Sequence, residues 1–187
     1  MASETDIANS ALIDMGEPEI NSLDQVASRA SAIRAVFEGQ RDWLLEQHPW
    51  NFAKARACLA PVLEPPLYGY AKAFRLPSDF LALINTEPEL ADYRQEAGLL
   101  LCDVDALSIN YTRRVANPDD MPPSFREALA ALIGSKVAKK ITGSDDARVK
   151  LEGFFKDRLR TAKSLNAKSS GQEEPDRPDL FIRARGA

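Results

Sequence analysis

The sequence predicts a mainly α fold with a small antiparallel β insertion (α+β): a bundle of about four helices that ends in an extended C-terminal arm. Three observations predict it. Apolar residues recur at helical spacing over residues 4–48 and again over 124–165. Between them, at about 51–116, the period shortens to two. Beyond residue 169 the chain turns polar and proline-rich, a composition that cannot offset the entropy of ordering. The 187 residues therefore read as one helical domain, 1–170, followed by an arm, 171–187.

Ile7, Ala11, Leu12 and Met15 lie on one face of a first helix over residues 4–15, which Gly16 and Pro18 stop. Three turns are marginal alone, so this helix has to pack on another. Ser22 and Gln25 have the spacing of a capping box and predict a second helix starting there. Its stripe is Leu23, Val26, Ala27, Ala30, Ile33, Phe37 and Leu44, and its end falls near His48-Pro49.

Residues 52–59 and 68–76 then read as short strands separated by Pro61, Pro65 and Pro66, with Tyr70, Lys72, Phe74 and Leu76 on one face. Residues 80–85 read as a further strand and 93–101 as a hairpin turning near Gly98. The clearest strand is 107–115, where Leu107, Ile109, Tyr111, Arg113 and Val115 alternate with Ser108, Asn110, Thr112 and Arg114. A second capping-box pattern, Ser124 with Glu127, follows Pro122-Pro123. It opens a helix with Phe125, Leu129, Leu132, Ile133, Val137 and Ile141 inward and Gly143 at its end. Ser144 caps a fourth helix, with Asp145 and Asp146 in its first turn and Leu151, Phe154, Phe155, Leu159, Ala162 and Leu165 facing inward.

Hydrophobic residues make up 44% of the chain and charged residues 28%, values that fit a soluble globular protein and exclude collagen-like or disulfide-stapled architectures. No run approaches the roughly 18 apolar residues of a membrane helix, and the N-terminus lacks the basic flank and apolar core of a signal peptide. The chain reads as made and used without secretion by that route. Cys58 and Cys102, with His48 the one histidine, are too few for a zinc cluster, so no metal and no cofactor is expected and the thiols read as reduced and half-buried.

The net charge is -4, unevenly spread. Residues 1–24 hold six acids and no Lys or Arg, whereas 124–169 hold eleven basic residues against five acids, a local +6. Such polarity suits a subunit that meets unlike surfaces or its own neighbours head to tail, although two solvated helix faces would give the same counts.

The strict catalytic and phosphate-binding signatures are missing from the sequence. His48, in Glu46-Gln47-His48-Pro49-Trp50, reads as a capping or packing histidine. Glu38 and Glu46 are the least unsuitable carboxylate pair for glycoside hydrolysis, and both read as solvated helix acids. The expectation is a protein that is not an enzyme. The basic residues between Lys136 and Lys163 carry no interleaved aromatic platform, and a chain with a pI near 5.2 argues against sequence-specific DNA binding. Trp43, Trp50 and Phe52 read as a structural anchor wedging sheet against helices, with a ligand pocket as the rival reading.

The order of several short motifs resembles a known family. Ala11-Leu12-Ile13-Asp14-Met15-Gly16, Ile20-Asn21-Ser22-Leu23-Asp24, His48-Pro49-Trp50-Asn51-Phe52-Ala53, Leu76-Pro77-Ser78-Asp79-Phe80-Leu81 and Ser124-Phe125-Arg126-Glu127-Ala128-Leu129 carry the likeness, which spans residues 7–165. They resemble the tail tubular protein A, or head-to-tail adaptor, family of short-tailed bacteriophages. The resemblance implies a homo-oligomeric ring, twelvefold, lying beneath the portal protein and above a tail nozzle protein of the tubular protein B type. It implies genomic DNA passing through the lumen without sequence-specific binding, no membrane partner, and a place in the virion after synthesis in the host cytoplasm.

Family members grip the portal with extended C-terminal segments. Here the matching residues are Leu180, Phe181, Ile182, Arg183 and Arg185, beyond the acidic, proline-containing stretch 171–179. Some related adaptors are credited with peptidoglycan hydrolysis, which makes a virion-associated peptidoglycan hydrolase the alternative function; no residue of this sequence matches a motif for it.

Overall fold

A computed structural model describes residues 1–64 and 66–169. The arm residues Leu180, Phe181, Ile182, Arg183 and Arg185 lie outside the described residues.

Helix α1, Glu4–Met15, opens on a capping box that the sequence reading missed. The Ser3 hydroxyl accepts from the Asp6 amide at 3.1 Å and the Asp6 carboxylate accepts from the Ser3 amide at 2.8 Å, so two amides without helical partners are satisfied reciprocally. Gly16 ends the helix in the left-handed region at φ 76°, a conformation that costs a side-chain-bearing residue more.

Helix α2, Ser28–Glu46, corrects the Ser22 capping box. The Ser22 hydroxyl instead accepts from the Asp24 amide within a turn. The turn is pinned from α1. Asn9 accepts from the Ile20 amide and donates to its carbonyl, and the Thr5 hydroxyl accepts from the Leu23 amide. Leu23 is thereby buried, while Val26 points fully into solvent and leaves the expected stripe.

A 3-10 turn, Asn51–Ala53, leads into six strands: β1 Lys54–Leu59, β2 Lys72–Arg75, β3 Phe80–Glu87, β4 Arg94–Glu96, β5 Leu99–Cys102 and β6 Leu107–Arg113. They form two three-stranded antiparallel sheets, ordered β1-β6-β3 and β2-β5-β4. In the first sheet Leu59 faces Leu107 and Glu87 faces Ser108, so β1 and β3 both end where β6 begins. The β4–β5 hairpin turns on Ala97 and Gly98, both at positive φ, the two-residue geometry that matches strand twist.

Helix α3, Pro123–Thr142, corrects the second capping box, because Pro122 is the N-cap and no side chain caps it. The Pro122 carbonyl accepts from the amides of Phe125 and Arg126, and Pro123 in the first turn has no amide to satisfy. Gly143 ends α3 at φ 72°. Helix α4, Asp145–Ser169, starts as read, with the Ser144 hydroxyl accepting from the Ala147 amide at 3.2 Å.

The main core gathers all four helices around α3, which packs on α1, α2 and α4. A second core, built on Phe74, Leu76, Leu100, Cys102, Leu107, Ile109 and Tyr111, lies between the two sheets. Cys102 is fully buried and Cys58 exposed, so neither thiol is half-buried. Leu165, read as inward, is exposed. The acidic and basic ends of the sequence do not form opposite poles either. Helix α1 lies against α3, and Asp14 makes a two-pronged ion pair with Arg158 of α4 at 2.5 and 3.0 Å.

Three helices meet at Gly134 of α3. A β-carbon there would sit 3.5 Å from the nearest Leu151 methyl and 3.7 Å from the Ala11 methyl, ordinary contact distances. Gly134→Ala is therefore expected to preserve stability or raise it by up to about 1 kcal/mol through helix propensity, whereas Gly134→Leu should lower it by about 1–3 kcal/mol through overpacking. Urea denaturation of the two variants checks this.

Candidate functional site

Two surfaces have the residue content to bind something, and they stand on different parts of the fold. The first begins where α2 breaks at Pro49. The Trp50 ring turns inward there, only 1% exposed, and its indole N–H donates to the Leu44 carbonyl at 3.0 Å, satisfying a carbonyl in the last turn of the helix. Phe125 of α3 meets the Trp50 ring edge to face at a centroid distance of 5.1 Å, and Phe52 meets Phe125 at 4.9 Å. Trp50 and Phe52 thus join the start of the first sheet to the start of α3. Trp43 does not. Its ring is 42% exposed and approaches Phe155 at 6.3 Å, away from the other two.

Against this junction lies the end of α4. The Asn51 amide donates to Oδ1 of Asn166 at 2.8 Å, and Nδ2 of Asn51 donates to the Asn166 carbonyl and the Ser169 hydroxyl. His48 stacks edge-on to Trp50 at 4.9 Å and places Nε2 3.1 Å from Nδ2 of Asn166. Burial holds the His48 pKa below the ordinary histidine value, with Lys163 and Lys54 adding to the effect. The result is a cleft of about 400 Å³ with Phe52, Phe125, Pro122 and Leu165 in its wall and the two asparagines at its rim.

The second surface is the connection from β1 to β2 and the sheet it reaches. Leu63 is 98% exposed, Leu67 99% and Tyr68 86%, with Tyr93 nearby in sequence to β4 also exposed. A groove of about 660 Å³ runs from Val62 and Leu67 to Leu99 and Leu101, with Glu64, Arg94 and Glu96 beside it. Tyr70 donates its hydroxyl to Asp92 at 3.0 Å, which ties the connection to the β3–β4 loop and raises the phenol pKa through that hydrogen bond first. The sequence predicts only a proline break over residues 60–67 and starts a strand at Tyr68, whereas β2 is confined to Lys72–Arg75 and Tyr68 stands in the connection. Its signal is Leu63 and Leu67 set among prolines with neither helical nor strand period, apolar residues with no face of their own to hide on.

Glu38 and Glu46 are exposed on α2, eight residues apart, or about 12 Å along the axis. Neither lines either surface. The outer face of the first sheet is polar, and there Cys58 accepts from the Ser108 hydroxyl at 3.2 Å. Among the described residues no three His, Cys, Asp or Glu side chains are grouped to hold a metal ion, and no helix is long and apolar enough to cross a membrane.

No protein-family model matches the chain, and no curated protein matches it either.

Proposed function

We propose that the chain is a structural subunit of a head-to-tail adaptor, assembled as a closed ring between the portal protein and the tail nozzle of a short-tailed phage virion, with the genome passing through its lumen. The observation that carries this reading is the nearly complete exposure of Leu63, Leu67 and Tyr68 on one connection. Three large apolar side chains held in water by a proline-rich loop are a contact surface in search of a partner. A head-to-tail interface uses one such patch per subunit and closes by rotation, so every copy hides its own patch on the next.

The ordered motifs of the sequence support the same reading, with the His48-Pro49-Trp50-Asn51-Phe52-Ala53 element at the junction that joins bundle to sheet. In this reading Leu180, Phe181 and Ile182 of the arm, with Arg183 and Arg185, dock on the portal. Electron microscopy of the purified protein with and without portal tests the proposal. Rings that attach to portal through the full chain, and rings that form but detach when residues 171–187 are removed, are expected. A protein that stays monomeric with portal present would end the adaptor reading, and peptidoglycan clearing abolished by Glu38→Gln or Glu46→Gln would replace it with the hydrolase.

A further inference from the structure

The amide of Asn166 fixes the position of a proton on His48. The backbone N–H of Asn51 can only donate, so the Asn166 atom facing it at 2.8 Å is the oxygen. The atom left facing His48 at 3.1 Å is the Asn166 nitrogen, whose N–H groups can only donate as well. A ring nitrogen approached by a donor has to be bare. The neutral His48 ring therefore carries its proton on Nδ1 and accepts at Nε2.

We infer that His48 is a proton-operated latch between the Trp50 junction and the end of α4: a proton gained at Nε2 turns an accepting atom into a donor, sets it against the Asn166 donor, and opens the join. Rotating the Asn166 amide offers no escape, since it would set the NH2 group against the Asn51 amide instead. The two asparagines stand 115 positions apart in the chain, and Asn51 also holds the Asn166 carbonyl and the Ser169 hydroxyl. One proton thus acts directly on the Asn166 side chain, which bonds the Asn51 amide in the turn before the first sheet, beside the two bonds from Asn51 to the last turn of α4.

The charged groups set against the ring are Lys163 from α4 and Lys54 from β1; on its own helix Glu46, two residues before it, is exposed. Both lysines disfavour a second positive charge. Folding depresses the affinity of the ring for its proton, so the unfolded chain binds that proton more readily. The contribution to stability is then complete above the ordinary histidine value of 6.5 and is lost as pH falls through it toward the folded pKa. The latch is closed at neutral pH and opens on acidification below 6.5. It does not depend on the adaptor reading.

Nuclear magnetic resonance on the full chain tests it. Ring nitrogen shifts at about pH 8 should report the Nδ1–H tautomer. On acidification the Asn51 backbone amide and the Asn166 side-chain amide should shift with the same midpoint as the ring, below 6.5. Asn166→Ala should move that midpoint upward, because the neutral ring loses its donor, and His48→Gln should abolish the transition at Asn51. The Nε2–H tautomer in the unsubstituted protein, an Asn51 amide indifferent to the ring, or an unmoved midpoint in Asn166→Ala would each overturn the latch.

Discussion

Replacing Trp50 by alanine is expected to lower the unfolding free energy by about 3–5 kcal/mol, the range for large core aromatics, and the melting temperature by roughly 10 °C for a domain of this size. Two losses add. The ring leaves a void at the meeting of Leu44, Phe52 and Phe125, which α3 cannot close without moving its first turn. The Leu44 carbonyl also loses its donor inside the protein, where water does not replace it freely. Trp43→Ala serves as the control, because that ring is already 42% exposed and should cost less than about 1 kcal/mol. Thermal melts in which the two variants fall equally would remove Trp50 from its role as anchor. An unchanged melt for Trp50→Ala, with loss of self-association, would place it at an interface.

The second large effect is expected with no change in stability at all. Leu67→Ser combined with Tyr68→Ser removes side chains that contact almost nothing in the isolated subunit, so the melt should move by less than about 0.5 kcal/mol. If these residues form the ring contact, each interface loses apolar burial worth about 1.5–3 kcal/mol per side chain. Two such side chains correspond to a loss of roughly a hundredfold or more in the affinity of one subunit for the next. A closed ring compounds the loss, since every interface carries the substitution. Sedimentation velocity across a concentration series reads the assembly directly. Rings persisting at unsubstituted concentrations would move the contact away from this loop.

Much of the fold was legible because its signals are local. Gly98 marked the hairpin, Gly143 and Ser144 marked the break between α3 and α4, and the alternation from Leu107 marked β6, each readable within a few residues. The two capping boxes misled for the opposite reason. Ser22 and Gln25 have the right spacing, but Asn9 and Thr5 hold the backbone of Ile20 and Leu23 in a turn, and those partners are 11 and 18 positions away. At Ser124 the helix is already started by the two prolines before it.

The candidate site divides in the same way. Trp50 and Phe52 were recognisable as large rings at a helix break. The clasp of Asn51, Asn166 and His48 was not, since it joins residues more than a hundred positions apart whose types are common on any surface. The exposed loop was visible only in part, at Leu63 and Leu67 among prolines, because a strand started at Tyr68 absorbs the rest of it, whereas β2 begins at Lys72.

The meeting of Glu87 with Ser108 has an evolutionary consequence. After Glu87 the polypeptide departs from one end of the first sheet, and at Leu107 it comes back to that same end, so the β4–β5 hairpin is an outgrowth whose base is already closed. Doubling the length of such a segment adds only about 0.6 kcal/mol of closure entropy. Its length and its outward side chains are therefore nearly invisible to the stability of the helices, and selection for folding leaves them unguarded. A lineage could retune what this outgrowth touches through many small changes while the bundle beneath it stays as it is.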